Sequence, residues 1–120
     1  MTKSDISRVQ DYLRHILEAI KRIDRYVEDL SETDFLIDEK SQDAVIRNFE
    51  IIGEACNNVT KYHSDFAEEH TEIPWGFAYE MRNALAHGYF KVDLEIVWKT
   101  IHQDLPGLAA DIERLFSSFQ

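Results

Sequence analysis

"EKSQDAVIRNFEIIGEACNNVTKY", residues 39–62, decides the fold of this chain. Its apolar residues Val45, Phe49, Ile52, Ala55, Cys56 and Val59 recur at steps of three and four, the period of a helix buried along one face. Gly53 sits in the middle of that run. A glycine inside a helix costs about 1 kcal/mol relative to alanine, so its presence predicts a second helix crossing there closely. The stretch therefore reads as a long helix, roughly Glu39 to Tyr62, packed against neighbours of the same kind.

Toward the N-terminus, Ile6, Val9, Leu13, Ile16, Leu17, Ile20, Ile23 and Val27 repeat the same spacing after Ser4, a candidate N-cap. They predict a first amphipathic helix of about 25 residues, with Arg14, Glu18, Lys21 and Arg25 on its solvated faces. "LSETD" interrupts the pattern with turn-forming residues. Toward the C-terminus, "SDFAEEH" suggests a short helical turn capped by Ser64. "EIPWGFAYEMRNALAH" then opens a further helix with Pro74 in its first turn, where the missing N–H costs nothing. Gly88 is placed to end that helix. Asp93 caps the next, with Leu94, Val97, Trp98 and Ile101 inward. Asp104 and Pro106 start the last, with Leu108, Ile112, Leu115 and Phe116 inward. No stretch alternates as a strand would. The reading is a single all-α domain over residues 1–120, an antiparallel bundle of four to five helices.

Composition narrows what such a bundle can do. The 120 residues suffice for one core, and 44% hydrophobic with 30% charged residues is ordinary for a soluble globular chain. No apolar run reaches membrane-spanning length, and the first ten residues form no apolar signal region. Cys56 is the only cysteine, so no internal disulfide forms, and a cytoplasmic protein is expected. The net charge of −10 argues against a broad basic RNA-binding face. That charge is uneven: residues 1–40 carry −3, residues 41–80 carry −6 and residues 81–120 only −1. A local anion site in the last third is left open.

"MRNALAHGYF", Met81 to Phe90, lies in that third. Asn83 and His87 are four apart and share a helix face, so the amide can hydrogen-bond the imidazole ring. Arg82 is about 100° round the helix and long enough to bend toward the same cleft. His87 falls in the last turn, where the helix dipole favours the imidazolium. Ala86 and Gly88 leave room for a ligand backbone. Together these residues supply a bidentate phosphate clamp and a proton donor or acceptor that titrates near neutrality. There is no glycine-rich phosphate loop, no cysteine pair and no His-Glu-x-x-His. The histidines at 15, 63, 70, 87 and 102 lack metal-ligand spacing. The set suits metal-free RNA cleavage, in which the ribose 2′-hydroxyl attacks its own phosphate. One arginine and one histidine fill the required roles poorly, so two copies facing each other across a homodimer fit better.

Each residue also has a plainer reading. A histidine at a helix end caps it, an arginine pairs with a carboxylate, and Tyr89 packs half-buried. Arg47 and Glu54 are either a buried polar pair or surface charges. Spacing alone leaves these alternatives open.

The motif "RNALAHGY" resembles the R-x4-H-x-Y signature of the HepT toxins, a branch of the HEPN superfamily. "AVIRNFEIIGEA" and "FKVDLEIVWKTIHQDLPGL" are similar to the same family, so the resemblance runs from about Asp43 to Leu108. It implies a helical-bundle homodimer that cleaves RNA without a metal or other cofactor, with the motifs of both subunits lining one cleft. By that resemblance Arg82 binds and neutralises the scissile phosphate, His87 transfers protons, and Asn83 and Gly88 support them. It further implies a toxin–antitoxin pair. The partner is then a minimal nucleotidyltransferase that adds AMP to Tyr89, placing negative charge beside the phosphate clamp. A non-catalytic subunit that binds a nucleotide or the partner enzyme is the competing expectation.

Overall fold

The computed structural model describes residues 1–86 and 93–119, and their side chains except those of Phe77, Asn83, Ala84 and Ala86. Among the described residues there are seven helices and no strand. In chain order they are α1 (Lys3–Val27), α2 (Glu32–Ile37), α3 (Glu39–Tyr62), α4 (Ser64–Glu69), α5 (Trp75–Ala86), α6 (Leu94–Gln103) and α7 (Leu105–Ser117). Five of them are the helices expected from the apolar periodicity; α2 and α4 are single short pieces between the longer ones. None is long and apolar enough to cross a membrane.

The boundaries follow from capping chemistry. Helix α1 starts two residues earlier than Ser4 suggests, because Thr2 is the cap. The Thr2 hydroxyl accepts from the Asp5 N–H and the Asp5 carboxylate accepts from the Thr2 N–H, a reciprocal capping box. Ser4 has no such partner three residues on and lies inside the first turn. Ser31 and Asp34 repeat the box at α2, so "LSETD" is both a break and a helix start. Six residues are too few to show a helical period, which is why α2 escaped the pattern. It buries Phe35, whose ring lies 5.4 Å from that of Trp98. Asp38 caps α3 through the Ser41 N–H and hydroxyl. Those bonds hold its carboxyl below the usual carboxylate range, so the cap stabilises α3 near neutral pH and fails as the carboxylate protonates in acid.

Of the other expected caps, one shifts by one position. His63, not Ser64, occupies the N-cap of α4 and makes no side-chain cap bond. Pro74 immediately precedes α5, and its carbonyl accepts from the Ala78 N–H at 3.2 Å. Asp93 caps α6 through the Glu95 and Ile96 N–H groups, as expected. Asp104 takes the N-cap of α7 without a side-chain bond, and Pro106 fits the first turn. The predicted end of α5 at Gly88 lies outside the described residues.

Helix α3 is the centre of the bundle, with α1 along one side and α5 along another. Arg22, late in α1, meets Asn48 in the first half of α3, whereas Tyr12, early in α1, lies by His63 at the end of α3. The two long helices are therefore antiparallel. Between them Val9, Leu13, Ile16, Ile23, Val45, Cys56 and Val59 are fully buried. Helix α7 closes α1 with Ile112 and Leu115, and α6 packs on α7 and α2.

One polar contact crosses this core. Asn48 is 4% exposed, its amide donates to the Ala44 carbonyl at 2.8 Å, and its oxygen accepts from Arg22 Nε at 2.7 Å. A buried amide bonded to a cation is costly to disrupt. Asn48→Ala should therefore lower unfolding free energy by about 1–3 kcal/mol in urea titrations. An Arg22→Ala, Asn48→Ala double-mutant cycle should show coupling between the two, and strictly additive losses would mean that the contact contributes nothing.

Candidate active site

Arg82 is the motif residue whose surroundings are described, and Gly53 explains its placement. A Cβ built on Gly53 would collide with Arg82 Cβ, would stand 2.7 Å from the Ala78 carbonyl oxygen, and would stand 3.0 Å from Arg82 Cγ. Helices α3 and α5 thus touch backbone to side-chain stem at this point. The glycine is there because α5 occupies the volume of any larger residue, which is the close crossing its presence predicts. Ala78 and Arg82 are four apart, so one face of α5 presents a small residue and then the arginine stem to α3. Farther along the same pair, Thr60 shares a cleft with Ile73, Trp75 and Gly76. Helix α5 therefore also runs antiparallel to α3, and its C-terminal end approaches the N-terminal half of α3.

This packing distinguishes Arg82 from a solvated surface arginine. The residue is half-buried, and its Nε is shut off from solvent. Its first two side-chain carbons lie on the Gly53 backbone, so the root of the guanidinium arm is fixed by a helix crossing rather than by a loop. Asn83 follows on the α5 backbone. His87, Gly88 and Tyr89, the remaining motif residues, lie outside the described residues.

The Arg47–Glu54 question resolves toward surface charge. The Arg47 side chain is 67% exposed and pairs at 3.6 Å with Glu50, one turn along, while Glu54 is exposed. Such a pair contributes little in water. Cys56 is fully buried, and burial pushes its thiol up to about 12, so it offers no thiolate nucleophile at neutral pH. His70 and His102 are engaged locally, with Glu72 at 3.3 Å and with the Trp98 carbonyl at 2.9 Å. Gly53 is the residue whose link to the motif the sequence concealed. Its helix-breaking cost signalled a crossing, but nothing in the chain named Arg82 as the other side of it.

The structure thus defines an all-α helical bundle with an arginine stem packed at a glycine crossing of two helices. The comparisons define the family. The family model described as "Ribonuclease HepT-like" matches residues 16–115, and the chain belongs to this family. Among its relatives is "Probable ribonuclease HepT" of Thermococcus cleftensis, 45% identical over 106 residues, which cover 88% of this chain and 94% of that protein. "Gamma-glutamylcyclotransferase and putative RNase MJ0434" of Methanocaldococcus jannaschii is 43% identical over 89% of this chain and 47% of its own, longer length. "Putative RNase MJ0127" of the same organism is 34% identical over the whole of this chain and 94% of its own. No solved structure matches.

Proposed function

We propose that this chain is a metal-independent endoribonuclease whose active site forms where two subunits bring Arg82 and His87 into one cleft. The observation that carries the reading is the anchoring of Arg82. Its stem is clamped on Gly53 in the last turns of α5, and the chain runs from there directly to His87. Membership of a family named for ribonuclease activity supports it.

The chemistry follows from the residue types. A neutral His87 accepts the proton of the ribose 2′-hydroxyl, and the freed oxygen forms a bond to the adjacent phosphorus. The pentacoordinate phosphorane carries extra negative charge, which the Arg82 guanidinium neutralises through paired N–H donors. The bond from phosphorus to the 5′-oxygen then breaks. A protonated His87 of the second subunit supplies the proton that oxygen needs, leaving a 2′,3′-cyclic phosphate and a 5′-hydroxyl. Asn83 orients the imidazole, and Gly88 gives the RNA backbone room. One neutral and one protonated histidine make the rate bell-shaped in pH around the histidine range.

In this reading the protein is the toxin of a toxin–antitoxin pair and works in the cytoplasm. A minimal nucleotidyltransferase silences it: the Tyr89 hydroxyl attacks the α-phosphorus of ATP, pyrophosphate leaves, and AMP remains on the ring. The new phosphate repels RNA from the clamp.

Purified protein in EDTA should cut RNA and leave cyclic-phosphate ends, and Arg82→Ala or His87→Ala should each reduce the rate by about 10²–10³-fold. Undiminished cutting by both variants would refute the assignment. Tyr89→Phe should still cut RNA but gain no AMP mass when expressed with the nucleotidyltransferase. An AMP-sized increment on that variant would move the modification elsewhere.

A further inference from the structure

A polar cavity lies between the first turns of α1 and the C-terminal end of α3. It encloses about 580 Å³ and is lined by Ser4, Asp5, Arg8, Tyr12, Asn58, Tyr62 and His63. That volume is within the range of about 300–1,000 Å³ typical of small-molecule sites. It is separate from the Arg82 crossing. His63 is ten residues beyond Gly53, roughly 15 Å along α3, and Tyr62, nine residues beyond, projects from the opposite side of the helix.

Its central residue is His63, whose side chain is only 8% exposed. The ring makes no hydrogen bond to any described side chain or backbone group; Asp5 Oδ1 stands 3.9 Å from Nδ1, and the Tyr12 ring 6.1 Å away. The Asp5 carboxylate is already committed through Oδ2 to the Thr2 N–H and hydroxyl at 3.0 and 2.9 Å, and it faces the positive end of the α1 dipole. Its hydrogen-bonding capacity is therefore largely spent on the α1 cap rather than on the cavity. Arg8 is exposed and forms no ion pair among the described residues, in a chain of net charge −10. Lys61 Nζ lies 5.2 Å from the centre of the Tyr62 ring, and Tyr62 is 60% exposed.

The lining is thus a guanidinium, an imidazole, a serine hydroxyl and an amide beside two tyrosine rings, with one carboxylate engaged by its own capping bonds. A metal would find one carboxylate and one imidazole beside a guanidinium, with no third such ligand among the described residues, and an apolar ligand would strand the donors. An anion joined to a flat ring satisfies both halves. We propose that this cavity binds a phosphorylated nucleoside, its phosphate held by Arg8 and His63, its base against Tyr62, and its base edge within reach of Asn58. The ligand is either a free mononucleotide or the terminal nucleotide of an RNA strand.

The site is testable without cleavage, and independently of the catalytic reading, in the full chain carrying His87→Ala. Calorimetry with AMP should show binding that Arg8→Gln weakens by about tenfold and Tyr62→Ala by about tenfold. Both positions are exposed, so both variants should fold. Adding Arg82→Ala should leave the affinity unchanged. Adenosine and inorganic phosphate should each bind more weakly than AMP. AMP binding that depends on Arg8 identifies the free mononucleotide. If a short 5′-phosphorylated RNA binds with that dependence and AMP does not, the occupant is a strand end. Binding insensitive to Arg8 and Tyr62, or lost with Arg82→Ala, or absent for every ligand, overturns the proposal.

Discussion

Gly53→Ala should destabilise the protein and cut RNA cleavage together, although the same change in an ordinary helix stabilises. The helix-propensity gain is about 1 kcal/mol. Against it stands the added methyl, which would meet Arg82 Cβ and the Ala78 carbonyl. Neither is the free end of a flexible chain, so α5 itself must move. Overpacking of this kind costs about 1–3 kcal/mol, and here the upper end applies. A net loss of about 2 kcal/mol lowers the melting temperature by roughly 5–10 °C in a chain of this size. The catalytic loss should be larger, because a shift of about 1 Å in a reacting group costs about 10²-fold. Gly76→Ala and Gly107→Ala are the controls: a Cβ at either position meets nothing within 4 Å, so both should be neutral or stabilising with full cleavage. Cleavage and melting by Gly53→Ala equal to the parent would mean that the helices do not cross here as the structure has them.

The same residue shows how far the sequence carries. The extent of α3, roughly Glu39 to Tyr62, was readable because its apolar positions from Val45 to Val59 hold the helical period over about four turns. The start of α1 was not, since Ser4 and Thr2 are both good caps and the choice depends on which finds a carboxylate three residues on. Helix α2 was invisible, because six residues contain too little periodicity and its capping box reads equally as a turn. The Arg82, Asn83, His87 set can be stated from local spacing alone, and of its side chains that of Arg82 lies among the described residues. What spacing cannot express is contact between distant segments: Gly53 beneath Arg82, Arg22 on Asn48, and the Asp5, Arg8, Tyr12 group of α1 around His63 of α3. Each joins residues 26 or more positions apart, and each depends on the rotation of two packed helices about their axes.

Arg82→Lys should abolish most activity while leaving the charge and the fold in place. Lysine keeps the aliphatic stem that covers Gly53, so the α3–α5 crossing and the melting temperature should stay near those of the parent. It replaces a planar guanidinium, with its fixed fork of donors, by a single rotating ammonium. In the proposed mechanism the phosphorane is held by two parallel N–H bonds that strengthen as charge develops, and a point charge supplies only one of them well. Loss of one such preorganised donor costs about 10²–10³-fold in rate, with a smaller effect on RNA affinity, where overall charge matters more than geometry. Measured at saturating RNA, Arg82→Lys should therefore show a large fall in kcat and a modest change in KM. Arg82→Ala should lose both, and should also loosen the crossing by removing the stem beyond Cβ. If lysine supports cleavage at the parental rate, Arg82 contributes only bulk positive charge. The bidentate clamp at the centre of the proposed mechanism would then have to be abandoned, even if the family's activity is present.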